Sequence, residues 1–406
     1  MKHVIPEGSI GNLVCRSTAT VPYPRQRPSG MTENGLRREG CMKQTVLHRK
    51  HEQQNARMTD FQGWQIPLQF SDALDEYHAV RYAAGLFDTC YLGRIEVTGA
   101  GAAGLLDRTL TRSASKMPEG SAQYGFLLND AGGILDDGFI FRLPSADAPG
   151  ERYLLTTNAV NTEKILGWLR RHATENVEIA DRTRETAQMA LQGPLSLRVL
   201  ETLAGRKLKK FKPHTVRRAA LAGIDALVSQ TGYTGEHGYE LILPAERAEA
   251  LWDAVLAAGR DAGVLPCGFS CRDIVRIEMG YLMYGNDLDE SRTPIEADLA
   301  SFVDFKKDFI GKEALIKIKA AGPEQKLAGF VLLDTGVPKA GGSIFSENRV
   351  VGAVTSGAQS PRLRTGIGLG YVTSRYSQAG QEIEIEVRDR EIAAKIVDLP
   401  FYRKKQ

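Results

Sequence analysis

An α+β fold, a mixed body followed by an all-β domain, is the class that the sequence predicts, and three observations predict it. Helical and strand patterns are interspersed up to about residue 320. Within that stretch, tight turns send neighbouring strands back antiparallel instead of across a parallel sheet. Beyond it the pattern changes to short strands with Gly-rich turns, the spacing of a small β barrel or jelly roll. The 406 residues suffice for two or three domains at roughly 100–200 residues each. The expected division is an extension over 1–41, a body of two interleaved α+β subdomains over 42–320, and the β domain over 321–406.

The extension carries six Lys and Arg against three Glu, four prolines and no apolar periodicity. Such a segment cannot bury enough surface to offset its ordering entropy, so it is expected to be unpacked. It lacks a signal peptide's apolar stretch. Met31, Met42 and Met58 are alternative starts, which makes an over-extended reading frame the first expectation and a targeting segment the second.

In the body, Ser71 precedes Asp72, Asp75 and Glu76, and Gly85 closes the pattern. Acids near an N-terminus and a terminal glycine predict a helix over 72–84. Residues 94–97 read as a strand. GAGAAG at 99–104 matches a dinucleotide fingerprint, after a strand and before a helix. That fingerprint also needs a parallel next strand ending in an acid. Residues 122–128 instead pass through the NDAGG turn into 134–142, an antiparallel hairpin, so the glycines predict a close-packed helix start.

Strands follow at 153–157, 176–179, 189–191, 224–229 and 239–243, with helices at 163–171 (capped near Asn161 or Thr162), 195–203, 245–262 and 271–279. A Lys-, Ala- and Gly-rich stretch at 316–322 reads as a linker, and short strands follow at 327–333, 350–354, 367–372, 383–387 and 393–397. No repeat period characteristic of a solenoid appears.

Composition narrows the function. Hydrophobic residues at 42% and charged residues at 25% exclude collagen-like, wholly disordered and coiled-coil classes. The balance of 52 Lys and Arg against 49 Asp and Glu argues against a nucleic-acid partner. No apolar run approaches the ~18 residues of a membrane helix, which argues against a membrane partner. The five cysteines, Cys15, Cys41, Cys90, Cys267 and Cys271, suit a reducing compartment. Cys267 and Cys271 read as packed thiols, and no metal site is expected because no ligand pair follows at zinc spacing. The sequence lacks GxSxG, HExxH and a phosphate-binding lysine loop.

Four polar clusters interrupt apolar strands or end elements. In GGILDDGFIF, Asp136 and Asp137 are neighbours on one strand and face opposite sides. An inward carboxylate needs a partner. TGYTGEHGYE carries Tyr233 and, alternating into a strand, Glu240. CRDIVRIEMGYLMYGNDLDE puts Arg272 and Arg276 one helical turn apart. The fourth is DLPFYRKKQ at the end of the chain.

These clusters recur in order with DFxGWxxPxxF from Asp60, AGLFD from Ala84, QGP, TPIEADL, DFIGKEAL, TSGAQSPxL and GLGYV. The series, from about Thr45 to Arg403, resembles the T-protein family of the glycine cleavage system, the aminomethyltransferases. The resemblance implies a three-domain cloverleaf around a central folate channel and a reaction with tetrahydrofolate as co-substrate. It implies as partners a lipoylated carrier protein, the glycine decarboxylase and dihydrolipoyl dehydrogenase, in the cytoplasm or in a mitochondrial matrix.

On that pattern Asp137 is the catalytic carboxylate beside the reacting folate nitrogens. Glu240 reads the pterin edge, Arg272 its face or carbonyl, and Tyr233 walls the pocket; Tyr124, Leu92, Asn158 and Arg403 match further folate-pocket positions. The chain departs from the family where a His and a Met usually precede a glycine: Tyr91 and Leu92 stand there. Relatives of this fold include folate-dependent demethylases and a non-catalytic iron–sulfur assembly protein, whose KGCYxGQE-type motif is absent here.

Overall fold

A computed structural model describes residues 42–144, 150–209 and 211–403. The extension expected to be unpacked lies outside the described residues. Among the described residues no helix is long and apolar enough to cross a membrane.

The body is built on two sheets. The five-stranded sheet runs in the order Ser121–Leu128, Ile134–Arg142, Arg152–Thr157, Gly93–Thr98, Glu178–Asp181, with every pairing antiparallel. Its apolar face packs against the helices Ala102–Thr109 and Thr162–His172, through Ile95, Leu106, Leu155 and Ile165. The GAGAAG segment is the start of the first of these helices. Gly99 takes φ +103°, a conformation open to glycine, and a Cβ at Gly101 would meet Val177 at 2.8 Å, as expected for close packing.

The six-stranded sheet runs Val216–Leu221, Ile224–Ser229, Gly238–Pro244, Thr186–Gln192, Gly85–Asp88, Leu265–Pro266. Only its last pairing is parallel. The helices Ser196–Ala204 and Ala248–Gly259 cover one face around the fully buried Trp252. Ala122, Phe141 and Leu154 of the first sheet meet Val216 and Ile242 of the second in one apolar cluster, which fixes how the two sheets face each other. A hairpin, Arg57–Phe61 with Trp64–Gln69, and the helix Phe269–Glu278 complete the body.

The C-terminal strands close into a six-stranded barrel, so of barrel and jelly roll it is the barrel. Phe330, Ile344, Ile385 and Ile396 fill it, and a separate cluster of Phe126, Leu282, Tyr284 and Tyr371 seals it against the body.

Three local expectations change. The helix expected over 72–84 is Ala73–Tyr82, capped by Asp72, whose side chain accepts the Leu74 N–H at 2.8 Å; Gly85 opens a strand instead of closing a helix. The expected linker at 316–322 is largely the helix Lys312–Ala321, since Ala and Lys are good helix formers. Strand Ser343–Ser346 was not anticipated, nor was the Arg57–Gln69 hairpin.

Candidate functional site

The NDAGG turn sends the strand Ile134–Arg142 back along Ser121–Leu128, pairing Asp137 with Phe126 and Asp136 with Leu127. Asp136 is fully buried and accepts the Asn158 backbone N–H at 3.1 Å, the Asn158 amide at 2.8 Å and the Asn161 amide at 2.7 Å. Asp137 faces a cavity, where it accepts the Tyr124 hydroxyl at 2.7 Å and the Asn158 amide at 3.0 Å. One asparagine thus bridges both acids.

Burial, reinforced by the charge of Asp137, pushes the Asp136 carboxyl above the ordinary range. Burial raises Asp137 too, while Tyr124 and Asn158 draw it part of the way back. The acids titrate as a pair.

The cavity is lined by both sheets, the hairpin and the helix. Tyr124, Asp137 and Asn158 come from one side, Tyr233 and Glu240 from another, Arg272 and Phe269 from the helix, and Leu92 from a loop. Glu240, on Gly238–Pro244, accepts the Gln188 amide at 3.0 Å and the Thr231 hydroxyl. These bonds orient a nearly buried carboxylate toward any paired N–H donors entering the cavity. Gly232, just before Tyr233, approaches Gln192 so closely that a Cβ would lie 2.0 Å from its side-chain oxygen.

The Arg272 guanidinium lies over the Tyr233 ring at 4.8 Å, and the Tyr233 hydroxyl donates to the Leu282 carbonyl at 2.5 Å. Tyr91, the residue that departs from the family pattern, is buried against Phe61 with ring centroids 5.6 Å apart. Burial raises its phenol, and the adjacent Arg272 moderates the rise.

Seven of the eight anticipated residues therefore share one cavity. Arg403 does not join them: it is exposed, because the chain end turns Tyr402 inward, its N–H donating to the Glu278 carbonyl at 2.9 Å and its ring under Arg81 at 4.5 Å. Asp88 of AGLFD is structural, its carboxylate taken up by Thr45 at 2.6 Å, His51 at 2.8 Å and the Cys90 N–H at 2.8 Å.

Gln62 was missed. It sits at the hairpin turn with φ +52°, its amide donates to the Tyr284 carbonyl at 3.0 Å, and its buried oxygen has no partner among the described residues. A carbonyl partner can only accept, so the orphaned end of Gln62 is an acceptor at the cavity wall. The QG dipeptide between two alternating runs was the available turn signal.

Cys267 and Cys271 lie buried with Glu76, their donor atoms within 4.8 Å of one another. The Glu76 carboxylate already accepts the N–H groups of Phe70, Ser71 and Gly268 at 2.6–3.0 Å, and burial pushes the Cys267 thiol far up. The cluster reads as packing.

Residues 47–307 match the family model for the GCVT N-terminal domain, and residues 325–403 that for the glycine cleavage T-protein C-terminal barrel domain. A protein of Halalkalibacterium halodurans named aminomethyltransferase is 41% identical over 365 residues, covering 89% of this chain and 99% of its own length. One of Geobacillus kaustophilus with the same name is 41% identical over 366 residues, with the same coverage of each. The crystal structure of the glycine cleavage system aminomethyltransferase T from Bartonella henselae superposes with a TM-score of 0.82 at 31% identity, covering 89% of this chain and 98% of that one.

Proposed function

The chain belongs to the glycine cleavage T-protein family, the aminomethyltransferases, and on that premise we propose that its cavity holds tetrahydrofolate against an aminomethyl group carried on the lipoyl arm of a small carrier protein. The reaction moves the methylene from sulfur and nitrogen to two folate nitrogens. Those nitrogens lose two protons, while the departing amine and thiolate gain one each to leave as ammonia and dihydrolipoyl carrier.

The residues suit this substrate. Glu240 offers two carboxylate oxygens to the adjacent N–H donors of a pterin, and Arg272 stacked on Tyr233 offers donors to its carbonyl. Asp137 stands beside the reacting nitrogens, with Tyr124 and Asn158 fixing its orientation. An ionised carboxylate there stabilises iminium character as the C–N bond breaks, and needs no covalent intermediate with the protein.

The observation that carries the reading is the convergence of Asp137 and Glu240, from two different sheets, on one cavity. In this reading residues 42–320 form the folate-binding body and 321–406 the barrel domain that closes it. The partners are the lipoylated carrier, the glycine decarboxylase and dihydrolipoyl dehydrogenase, in a bacterial cytoplasm or a mitochondrial matrix. The test is to supply aminomethylated carrier and tetrahydrofolate and follow methylene-tetrahydrofolate and ammonia. Both are expected to form in equal amounts, and formation of neither by folded protein contradicts the proposal.

A further inference from the structure

The hairpin turn at Gln62 is held from two sides. The Phe61 ring lies 5.6 Å from that of Tyr91 and 4.6 Å from that of Phe269, and the Gln62 amide donates to the Tyr284 carbonyl at 3.0 Å. That bond fixes the amide's orientation, since a flipped side chain would set oxygen against oxygen. The Gln62 oxygen is left buried in the wall of the candidate cavity, with no partner among the described residues. Residue 62 also takes φ +52°, uncommon for a residue with a side chain. An unpaired buried acceptor and a left-handed backbone both disfavour folding. Glycine at this position would remove both, and the DFxGWxxPxxF pattern leaves the position open, so packing alone does not call for a glutamine there.

Tyr284 ties this turn to the Asp137 side of the cavity. Asn158, which bonds Asp137 at 3.0 Å, is followed by Ala159 in the cavity wall. Val160, next in the chain, is 55% exposed, so this part of the wall reaches the molecular surface. On the helix that follows, Lys164 donates to the Tyr284 hydroxyl at 3.0 Å and to Glu290 at 2.8 Å. The residue that holds the Gln62 amide is therefore itself held by the segment that carries Asn158.

We propose that the Gln62 side-chain oxygen accepts an N–H of the aminomethyl nitrogen and so positions the departing amine. The inference rests on the proposed aminomethyl transfer. In that reading the pterin edge and the reacting folate nitrogens have their acceptors in Glu240 and Asp137, whereas the amine has none. Its nitrogen carries N–H bonds from the carrier-bound group through to free ammonia, and these become stronger donors as iminium character develops. A neutral amide oxygen suits the task, because it accepts those bonds without retaining the product as an ion pair.

The test runs the transfer in reverse, from methylene-tetrahydrofolate, ammonia and dihydrolipoyl carrier, in the wild type, Gln62→Met and Gln62→Gly. Methionine keeps the length and removes the amide, and glycine removes the side chain while favouring the turn's φ. In both variants the KM for ammonia is expected to rise about tenfold or more. The KM values for methylene-tetrahydrofolate and for the carrier, and the tetrahydrofolate affinity by calorimetry, are expected to stay as in the wild type. An ammonia KM unmoved by both substitutions overturns the assignment. A loss of tetrahydrofolate affinity also overturns it and gives the oxygen to the folate. A rise in all three KM values together with a lowered melting temperature overturns it as well, and leaves Gln62 an anchor of the turn. If the wild type turns over in neither direction, aminomethyl transfer itself fails and the assignment falls with it; if the wild type is active and only the ammonia KM stays unmoved, the assignment alone fails.

Discussion

The strand Ile134–Arg142 and the helix Phe269–Glu278 each bring a pair of like charges to the middle of the molecule, and each pair divides in the same way. On the strand, Asp136 is saturated by three N–H groups of Asn158 and Asn161, while Asp137 keeps a face toward the cavity. On the helix, Arg276 is fully buried, bonding Asp273 at 2.8 Å, Asp287 at 2.6 Å and Ser356 of the barrel at 2.7 Å. Arg272, one turn earlier, lies over Tyr233 in the cavity wall with no ion pair among the described residues. Charge does not separate the member that faces the cavity from its neighbour. Burial and the number of partners that the chain itself supplies do, since Asp136 and Arg276 are fully buried and Asp137 and Arg272 half-buried.

If that distinction holds, the largest stability effect comes from the saturated arginine. Arg276→Ala removes the ion pair of the fully buried Asp287 at the join between body and barrel, and is expected to cost roughly 3–5 kcal/mol of stability. Arg272→Ala is expected to cost little stability and to weaken folate binding. Chemical denaturation of both variants makes the comparison, and equal losses would dissolve the distinction.

Glu240→Ala removes a charge-assisted acceptor of roughly 1.5–3 kcal/mol, on the order of a ten- to hundredfold loss in tetrahydrofolate affinity. Titration calorimetry on folded variant is the check, and unchanged affinity rejects the pterin contact.

A smaller effect is expected from the acid pair as a function of pH. Its carboxyls titrate above the ordinary range, so from roughly pH 4 toward neutrality the folded chain holds protons that the unfolded chain has released. Stability from this pair is therefore greatest at the acid end of that window and declines as pH rises. Asp136→Asn is expected to flatten the slope of unfolding free energy against pH, and an unaltered slope contradicts the raised titration. Removing residues 1–41 is expected to change neither melting temperature nor activity, and a large loss of either would show that the extension packs on the body.

Much of this was legible in the sequence because it depended on local pattern. The hairpin through NDAGG ruled out a dinucleotide site at GAGAAG, and evenly spaced short strands announced the barrel. The resemblance drew Asp137, Tyr124, Asn158, Tyr233, Glu240, Arg272 and Leu92 into one list, and the fold draws them into one cavity. What stayed hidden depended on tertiary placement. Spacing alone put Arg272 and Arg276 on one helical face, and only the barrel's Ser356 and the Asp287 loop claim the second. Gln62 gave no chemical signal, because its orphaned oxygen exists only where the hairpin turn meets the Tyr284 carbonyl. Arg403 stands at a chain end whose inward turn is made by Tyr402, a choice that composition does not encode.

The most direct test sets Asp137→Asn beside Asp136→Asn, measuring steady-state methylene transfer and tetrahydrofolate binding in both. Asp137→Asn keeps size and much of the hydrogen bonding but removes the charge that faces the cavity, so turnover is expected to fall by about 10² or more, with folate affinity much less affected. Asp136→Asn is expected to lower the melting temperature and to leave most of the turnover. A near-normal rate in Asp137→Asn, or equal losses of rate in the two variants, would contradict the account.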